Sequence, residues 1–432
     1  MEDIDKLLNL EGIRSTNVKT IQDKDGSEFI QVDCVPAVKP VCPVCASLYS
    51  HVDRHFIRTV QDLDCSGKKV FLSVAMTRYV CMEPVAGDPS VVCGKTFQAV
   101  IEMIDQNARL TKRFRDVLAN EALTTPFKRV GEKYGVSTMT VKRALEQFIE
   151  EKEQWRTDHL YSPTGIGLDE NHLNGQYCLV VTDNDQHTLL DIFDNKDPET
   201  VKKVLEQLKE TDNLLYVTMD LSTEYRSAVR EVFGQRVAII ADRFHVQKLV
   251  NEAMMLTRQN LIERLPEKER AGTHYNANLL RKNLENLTDY DKERMTRMFV
   301  AIPGSDKAYA LKESFRSIYS YTNRASAEKA FERFCSEIPD EGFEPFHKVC
   351  RTIRQWHNEV FNYFDYDGAS NGFTEAENGI ISRRNVQGNG YSFKILRGLA
   401  LYGKGSTAFR PNGKLMEKEE LPVKTISQRR KK

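Results

Sequence analysis

Five short apolar runs between residues 163 and 242 constrain the fold of this chain more than any other feature. In chain order they read GIGLDE, YCLVVTD, TLLDIF, LLYVTMD and RVAIIAD, and helical patterns at about 199–210 and 223–233 separate the last three. The order is therefore strand, strand, strand, helix, strand, helix, strand. This order predicts a mixed α/β sheet.

A long helical block follows the apolar runs. Residues 244–365 read as one helix after another, with breaks at Pro266, Pro303 and Pro339. A compact sheet domain rarely contains so long a helical block, so we expect an inserted helical subdomain with a small core of its own. The last residues, KTISQRRKK, are basic and are expected to be disordered.

Composition excludes few functions. The 432 residues include 62 acidic and 62 basic side chains, so a polyanion-binding surface has to come from local clustering. There is no run of 18 apolar residues and the acidic N-terminus shows no signal-peptide pattern, so we expect a cytoplasmic protein that does not enter membranes. The odd number of cysteines, nine, argues against a complete disulfide framework, and we expect them to be reduced.

Four cysteines in the strand-like first hundred residues have metal-ligand spacing. Cys42 and Cys45 form a C-x-x-C pair, and Cys81 and Cys93 follow as a wider pair. Two such pairs around a β-rich segment favour a tetrahedral zinc ribbon, which is a closed structural site. The alternative is a set of buried thiols with a chance C-x-x-C, and His51 and Cys65 remain spare ligand candidates.

Residues 126–148, PFKRVGEKYGVSTMTVKRALEQF, have the pattern of a helix-turn-helix. Gly135 permits the tight turn, and Ser137 can cap the second helix. The alternative is a plain helical hairpin. Polar and basic side chains on the two helices suit DNA phosphates and base edges, namely Lys128, Arg129, Thr138, Thr140, Lys142 and Arg143.

Aspartates stand at the ends of the first, fourth and fifth predicted strands: Asp169 in GIGLD, Asp220 in LLYVTMD and Asp242 in RVAIIAD. Carboxylates at the ends of adjacent strands converge and repel one another unless cations bind between them. Mg²⁺ prefers such oxygen ligands, and a two-metal site would serve phosphoryl transfer. A single aspartate at a strand end is more often a turn or a helix cap, but three in one sheet favour a metal site.

The combination and order of these motifs resembles the insertion-sequence transposases of the ISL-three family, along nearly the whole chain. The passages that carry the resemblance are the cysteine pairs, the helix-turn-helix and the segments GLDE, MDLSTEYRSAVREVF, ADRFHVQKLVNEA, RQWHNEVFNYF and SNGFTEAEN…GNGYSF. The resemblance implies a ribonuclease H-like catalytic domain with a DDE triad, interrupted by an all-helical insertion that precedes the glutamate.

The resemblance implies a site residue at each of several positions of this sequence. The triad, which would bind Mg²⁺ or Mn²⁺, falls on Asp169, Asp220 and Glu375. The supporting residues fall on Asp242 and His245, which match a D-x-x-H signature, and on Asn378, which ends the S-N-G-x-x-E-x-x-N pattern. Asp242 has a second interpretation, as the second metal ligand in place of Asp220.

The segment after Glu375 departs from the family pattern at two places, where Ala376 replaces the usual glycine and Ser382 the usual lysine. Arg383 and Arg384 are expected to hold DNA phosphates. The neighbouring acids Glu170 and Glu377 are expected to have no role in catalysis. Trp356 and His357 could stack on a flipped base, although Trp356 is as readily a core side chain.

The predicted organisation has six parts. They are a zinc-ribbon domain at 1–100, a helix-turn-helix domain at 105–150, a first catalytic segment at 160–245, a helical insertion at 246–365, a second catalytic segment with the glutamate helix at 366–405, and a basic tail at 406–432.

The expected function is a DNA transposase that binds terminal inverted repeats, cleaves DNA and transfers the strand to target DNA, with structural Zn²⁺ and catalytic Mg²⁺. We expect a bacterial, nucleoid-associated protein that forms a homo-oligomer on DNA. Two alternatives are a DNA-binding regulator that uses the sheet domain for assembly, and a structure-selective nuclease of the same fold.

Overall fold

The computed structural model describes residues 2–23, 26–85, 88–158, 163–207, 213–388 and 390–403. The predicted basic tail at 406–432 lies outside the described residues. Contacts divide the chain into two compact units, residues 1–153 and 154–432. In the part of the chain described here, no helix combines the length and the apolar character needed to cross a membrane.

A twisted sheet forms the first part of the N-terminal unit. After the short helix α1 (Glu2–Leu7), its strands are β1 (Ile13–Gln22), β2 (Glu28–Pro36), β3 (Ser50–Cys65), β4 (Lys68–Cys81) and β7 (Thr96–Gln98), and β5 (Pro84–Val85) and β6 (Asp88–Val92) make a separate hairpin. The order is β1-β2-β4-β3, with β7 also paired to β4. Alternate residues of β4 are buried, which gives the sheet one core face (Val70, Leu72, Val74, Met76).

Three helices complete this unit: α2 (Lys112–Ala122), α3 (Phe127–Tyr134) and α4 (Thr138–Asp158). Gly135 ends α3 in the left-handed conformation, with φ of 62°, as the tight turn requires. The Ser137 hydroxyl accepts a hydrogen bond from the Thr140 N–H at 3.1 Å, so the predicted cap of α4 is present. The helices are joined to β3 through buried Asp62, whose Oδ1 accepts from Thr111 Oγ1 at 2.7 Å and from Arg113 Nε at 2.8 Å.

A mixed sheet forms the centre of the second unit, as the apolar runs predicted. Its strands are β8 (Gly165–Leu173), β9 (Gln176–Asp183), β10 (Thr188–Phe193), β11 (Tyr216–Met219) and β12 (Ala238–Ala241), with α5 (Pro198–Gln207) and α6 (Thr223–Phe233) between the later strands. The order is β10-β9-β8-β11-β12. The pairs among β10, β9 and β8 are antiparallel, and those among β8, β11 and β12 are parallel.

Helices fill the region from 243 to 365. They are α7 (Arg243–Glu263), α8 (Glu267–Arg270), α9 (Asp289–Ala301), α10 (Ser305–Ile318), α11 (Arg324–Ser336), α12 (Glu344–Gln355) and α13 (His357–Asp365), with three short 3-10 turns between Ala271 and Asn286. Every residue from 243 to 365 is described, and none lies in a strand.

Two expectations for this helical region were wrong. It has no separate core, because its buried side chains form one continuous cluster with those of the sheet, and α13 packs against β12, where Asn362 Nδ2 donates to the Ile239 carbonyl at 2.8 Å. Not every cysteine is a free thiol, since a disulfide joins Cys335 of α11 to Cys350 of α12. The fold brings the Cα atoms of these cysteines to 6.2 Å, which their separation of 15 residues in the sequence did not reveal.

The chain returns to the sheet with α14 (Gly372–Gly388) and α15 (Phe393–Tyr402). Helix α14 lies close against β8, since a Cβ atom on Gly167 would lie 2.3 Å from Thr374 Oγ1. Glycine at 167 is therefore required by this approach. Helix α15 is held on β10 by a bidentate ion pair between Arg397 and Asp191, with N···O distances of 2.6 and 2.9 Å.

Candidate metal centres and nucleic-acid interface

The four predicted cysteines of the N-terminal unit meet at one point, and we call them the thiol cluster (Cys42, Cys45, Cys81, Cys93). Their sulfur atoms all lie within 4.8 Å of one another, with 3.8 Å between Cys42 and Cys93 and 3.5 Å between Cys45 and Cys81. Four sulfurs at the usual Zn–S distance of about 2.3 Å on a tetrahedron are separated by distances of this size. The spare candidates His51 and Cys65 are not part of this cluster.

The turn that carries the first cysteine pair favours a thiolate. Although burial acts against it, the backbone N–H groups of Cys45 and Val44 lower the pKa of the Cys42 thiol to about 7. At the Cys81 thiol burial outweighs the hydrogen bond from the Glu83 N–H and raises the pKa to about 12. Without a cation the two buried thiols, Cys42 and Cys81, would therefore differ in their tendency to ionise, and a divalent metal removes that conflict because coordination deprotonates all four cysteines.

Strand register brings the three aspartates of the second unit side by side, and we call this side of the sheet the acidic edge (Asp169, Asp220, Asp242). Thr218 of β11 is opposite Gly167 of β8, and Met219 is opposite Ala241 of β12. Continued to the next residues, both registers place Asp220 between Asp169 and Asp242. The Asp242 N–H donates to the Met219 carbonyl at 2.7 Å, which extends the ladder to this point.

Asp169 does not end its strand, contrary to the sequence-based expectation. Strand β8 continues to Leu173 because β9 remains paired with it, with Asp169 opposite Val180, after the parallel pairing with β11 has stopped. Asp169 is 7% exposed, and burial raises its pKa to about 6, with further contributions from Asp220 and Asp242. Its Oδ1 accepts from the Glu170 N–H at 2.8 Å and its Oδ2 from Asn378 Nδ2 at 2.9 Å.

Asp220 is the aspartate of the acidic edge whose hydrogen bonding is incomplete. The buried side-chain oxygens that receive no hydrogen bond, among the described residues, include Asp220 Oδ1 and the nearby Asn378 Oδ1. Burial raises the pKa of Asp220, and Glu170 adds to this effect while His245 and Lys196 oppose it. A buried carboxylate oxygen without a donor is costly, and a bound cation would satisfy it.

Both carboxylate oxygens of Asp242 accept hydrogen bonds from the protein. Its Oδ1 accepts from the Asn371 N–H at 3.0 Å, and its Oδ2 accepts from the His245 N–H at 3.3 Å as the N-cap of α7. His245 Nδ1 lies 3.2 Å from the same Oδ2, and this bond raises the pKa of His245. One ligand atom each of Asp242, His245 and Glu375 lies within 4.8 Å of the others, so a metal role for Asp242 fits the distances, and Asp169 and Asp220 are not part of this close group.

Glu375 and Glu377 lie two residues apart in α14 and have different surroundings. Burial raises the pKa of Glu375 to about 7, followed by the negative charges of Asp242 and Asp169, so this carboxyl faces the acidic edge. Glu377 is 4% exposed, and its pKa is raised by burial and lowered only by Arg384. Glu377 is thus a buried acid turned away from the site.

Asn371 is the residue that sequence reasoning missed, although it stands in the SNG motif. It is fully buried, its Nδ2 donates to the Leu168 carbonyl at 2.8 Å, and its Oδ1 accepts from Thr218 Oγ1. Together with the bond from its N–H to Asp242, these contacts fix the start of α14 to β8, β11 and the acidic edge. An asparagine next to a glycine at a helix start signals a cap, and only the tertiary contacts show this wider role.

Comparison with protein families agrees with this geometry. A model described as a transposase matches residues 166–398, which is more than half of the chain, and a model described as the helix-turn-helix domain of transposase family ISL3 matches residues 101–149. The chain belongs to transposase family ISL3, the ISL-three family. No curated protein matches the chain.

The DNA-binding side chains predicted for this transposase lie mainly on the surface of α3 and α4. Lys128, Arg129, Thr138 and Arg143 are exposed, and Thr140 and Lys142 are partly exposed. Two of these lysines form loose i,i+4 pairs, Lys128 with Glu132 at 4.0 Å and Lys142 with Glu146 at 3.7 Å. Such exposed pairs are weak, so both ammonium groups can exchange to phosphate.

The two arginines after the glutamates differ. Arg383 is exposed and can reach DNA. Arg384 donates to the Leu399 carbonyl of α15, and burial lowers its pKa while Glu377 opposes that effect. The structure thus gives Arg384 a place between α14 and α15, and this corrects the expectation that it holds a phosphate.

Other expected features near the transposase site have structural roles. Ser382 Oγ donates to Asn171 Oδ1 at 3.0 Å. The serine that stands in place of the family's usual lysine therefore links α14 to β8. Glu170 forms an ion pair with Lys196 at 2.6 Å. Trp356 is 4% exposed and stacks under the Arg226 guanidinium at 4.0 Å, so it is a core side chain and does not stack on a base.

Proposed function

We propose that this transposase cleaves and joins DNA strands at the acidic edge, with Asp169, Asp220 and Glu375 as metal ligands. The observation that carries the proposal is the strand register, which gathers the three aspartates at one edge of the sheet. Helix α14 then brings Glu375 to them. The buried Asp220 Oδ1 supports a cation there. The raised pKa values of Asp169 and Glu375, about 6 and 7, support it too, since clustered carboxylates ionise together only when a cation is bound.

The sheet supports a ribonuclease H-like catalytic domain. Three antiparallel strands continue into two parallel ones in the order β10-β9-β8-β11-β12, and the first and fourth strands of the chain order meet at the proposed site. We assign residues 160–245 and 366–405 to this domain, with 246–365 as the helical insertion. The boundaries 1–100 and 105–150 are proposed for the zinc ribbon and the helix-turn-helix, which share one compact unit.

The chain's own residues would hold and orient the reacting groups. Asn378 fixes Asp169 from one side, and Asn371 and His245 fix Asp242, so we place Asp242, His245 and Asn378 in a supporting role. When bound, Mg²⁺ or Mn²⁺ supplies Lewis acidity toward the scissile phosphate and lowers the pKa of an attacking water. Arg383 is placed to contact the DNA backbone beside Glu375.

We further propose that Zn²⁺ at the thiol cluster is structural, and that the N-terminal unit recognises the terminal inverted repeats. All four sulfurs are needed to complete the tetrahedron, which leaves no open position for chemistry. The same proposal includes a homo-oligomer on DNA, a nucleoid location in bacteria and the use of target DNA. A regulator without catalysis is disfavoured because it would have no use for converging carboxylates with one buried oxygen, Asp220 Oδ1, that receives no hydrogen bond.

The test uses the full chain, Mg²⁺ and a DNA fragment that carries the gene with its flanking sequence. We expect strand cleavage at the element ends that leaves a 3′-hydroxyl, followed by joining to target DNA. Asp220→Asn should retain end binding and lose cleavage, and Asp242→Asn should retain measurable cleavage. Loss in Asp242→Asn together with retained activity in Asp220→Asn would reverse the assignment of the second acid.

Binding without cleavage by the wild-type chain at any divalent metal concentration would favour the regulator. Cleavage of branched or looped DNA with no preference for the element ends would favour the structure-selective nuclease.

A further inference from the structure

A cleft of about 750 Å³ lies between the segment before α2 and the first turns of α4. One wall is loop 105–111, and the other carries Ser137, Thr140 and Arg143, which begin the second helix of the helix-turn-helix. The loop lies within the predicted helix-turn-helix domain at 105–150 and within the matched residues 101–149, but none of its side chains was predicted to contact DNA. The cleft is open along one side, so an extended strand can enter it from solvent.

Loop 105–111 is held in one conformation by β3. The Gln61 N–H donates to the Arg109 carbonyl at 2.9 Å, and the Thr111 N–H donates to the Gln61 carbonyl at 3.0 Å. Arg58 donates to the carbonyls of Asp105 and Ala108, the latter at 2.9 Å. These bonds fix the loop through its backbone, and within the described residues the Arg109 side chain makes no hydrogen bond or ion pair.

The charge of the cleft is positive. Four cationic side chains line it together with one acid, Asp105. Asp105 is shared by Lys112 at 3.5 Å and Arg115 at 2.7 Å. The remaining two cations, Arg109 and Arg143, are exposed, and neither has an acidic partner in the part of the chain that the structure describes.

We propose that this cleft binds the DNA backbone, with Arg109 and Arg143 contacting phosphates on either side of it. The inference rests on the proposed DNA binding by the helix-turn-helix and adds a contact from outside the two helices. Arginine suits this task because its planar guanidinium donates two parallel bonds to a phosphate. Because the loop is already ordered, DNA binding costs it little conformational entropy. A phosphate contact from such a loop can therefore set the orientation of α4 in the groove of the DNA.

A phosphate contact has a measurable signature, since each one adds about 0.9 to the slope of log affinity against log salt concentration. The full chain is titrated by fluorescence anisotropy with a duplex from the element end and with an unrelated duplex of equal length. Arg109→Gln should lower the slope by about 0.9 on both duplexes, and Arg109→Lys should restore it. The same loss is expected for Arg143→Gln, and roughly twice the loss for the double variant.

Arg14 is the matched control. It is an exposed arginine on β1, which is the strand at the other edge of the sheet from β3. Arg14→Gln should leave the slope unchanged, and all variants should keep the wild-type melting temperature.

Three results would overturn the inference. They are a wild-type slope in Arg109→Gln, a loss confined to the element-end duplex, which indicates base reading, and an equal loss in Arg14→Gln. Salt-independent binding or no binding by the wild-type chain would instead remove the proposed DNA-binding function itself.

Discussion

The two candidate metal centres of this chain are built in opposite ways. The thiol cluster takes its four ligands from residues 42–93, and the polar groups near its sulfurs are one another and backbone N–H groups such as those of Val44 and Cys45. The acidic edge and Glu375, which faces it, take their carboxyl groups from positions 169 to 375, and two of the aspartates also accept hydrogen bonds from asparagine, histidine or backbone donors.

The difference matches two chemical tasks. A closed tetrahedron of sulfurs stabilises a fold and offers no coordination position to a substrate. A group of carboxylates with an unsatisfied oxygen at Asp220 leaves room for a cation, for water and for a phosphate. A closed and an open centre should therefore respond differently to the loss of a single side chain.

Removing one ligand of the thiol cluster should have the largest effect. Because structural zinc binding contributes about 10–16 kcal/mol to folding in small metal-dependent modules, Cys42→Ser should release the metal and unfold the N-terminal unit. DNA affinity should fall by on the order of 10³ as specific binding is lost. Metal analysis, limited proteolysis and anisotropy measure these effects.

Cys65→Ser is the control for this change. Cys65 is a partly buried cysteine of the same unit, and it lies outside the thiol cluster. It should keep one zinc per chain. A Cys42→Ser protein that keeps its zinc and its DNA affinity would show that the cluster is not a closed metal centre.

Glu375, which faces the open centre, and Glu377, which is turned away from it, are a matched pair of glutamates on α14. Glu375→Gln should lower the cleavage rate by on the order of 10⁴, as loss of an essential site residue does, with DNA affinity retained. Glu377→Gln should leave the cleavage rate nearly unchanged and should not lower the free energy of unfolding at pH 7, because burial raises the pKa of Glu377 and its ionised form therefore adds no net stability. Gel assays of cleavage and thermal denaturation separate the two outcomes, and the reverse pattern would exchange their roles.

Asn378 tests whether the open centre depends on its supporting hydrogen bonds. Asn378→Ala should lower the cleavage rate by about 10- to 100-fold, the usual cost of losing a partner of a metal ligand. Loss of this bond to the Asp169 carboxylate should also raise the pKa of Asp169, so the acidic limb of the pH–rate profile should move to higher pH. Asn174→Ala, which removes a 2.8 Å bond to the Tyr391 carbonyl, should change neither the rate nor the profile.

The smallest effect concerns stability in the absence of DNA. The folded-state pKa values of Asp169 and Glu375, about 6 and 7, exceed those of the unfolded chain, so the metal-free protein should lose stability as pH rises from about 4 to 7. Mg²⁺ competes with these protons, and it should therefore raise the melting temperature by a few °C at pH 8 and hardly at all at pH 5. Asp220→Asn should melt higher than wild type without metal at pH 8 and should lose the response to Mg²⁺. An equal Mg²⁺ response at both pH values would contradict a carboxylate site.

Much of the fold was predictable because its signals are local. The alternating and continuous apolar runs gave the order of strands and helices from 165 to 242, since side-chain periodicity depends only on the element itself. Gly135 and Ser137 marked the turn and the cap between α3 and α4 for the same reason. The spacing of the cysteine pairs predicted a cluster whose ligands lie within one small unit.

The candidate site was predictable only as a set of residue types. The sequence marked Asp169, Asp220, Asp242 and Glu375 as acids in suggestive places, but it could not decide how each one is surrounded. Asp242 has both oxygens occupied and Asp220 has one unsatisfied, because strand register and the position of α14 determine which donors reach each carboxylate.

The sequence by itself therefore determined the elements, their order, the thiol cluster and the acids available for chemistry. The tertiary structure alone decided that Glu377 is buried while Glu375 faces the acidic edge, that Arg384 lies between α14 and α15, that Trp356 is a core side chain, and that Arg109 lines a cleft with Arg143. The physical reason is that burial and hydrogen-bond satisfaction depend on which face of a helix meets the sheet. That choice depends on contacts across up to about 200 residues of chain, such as those of Asn371 with Leu168 and Thr218.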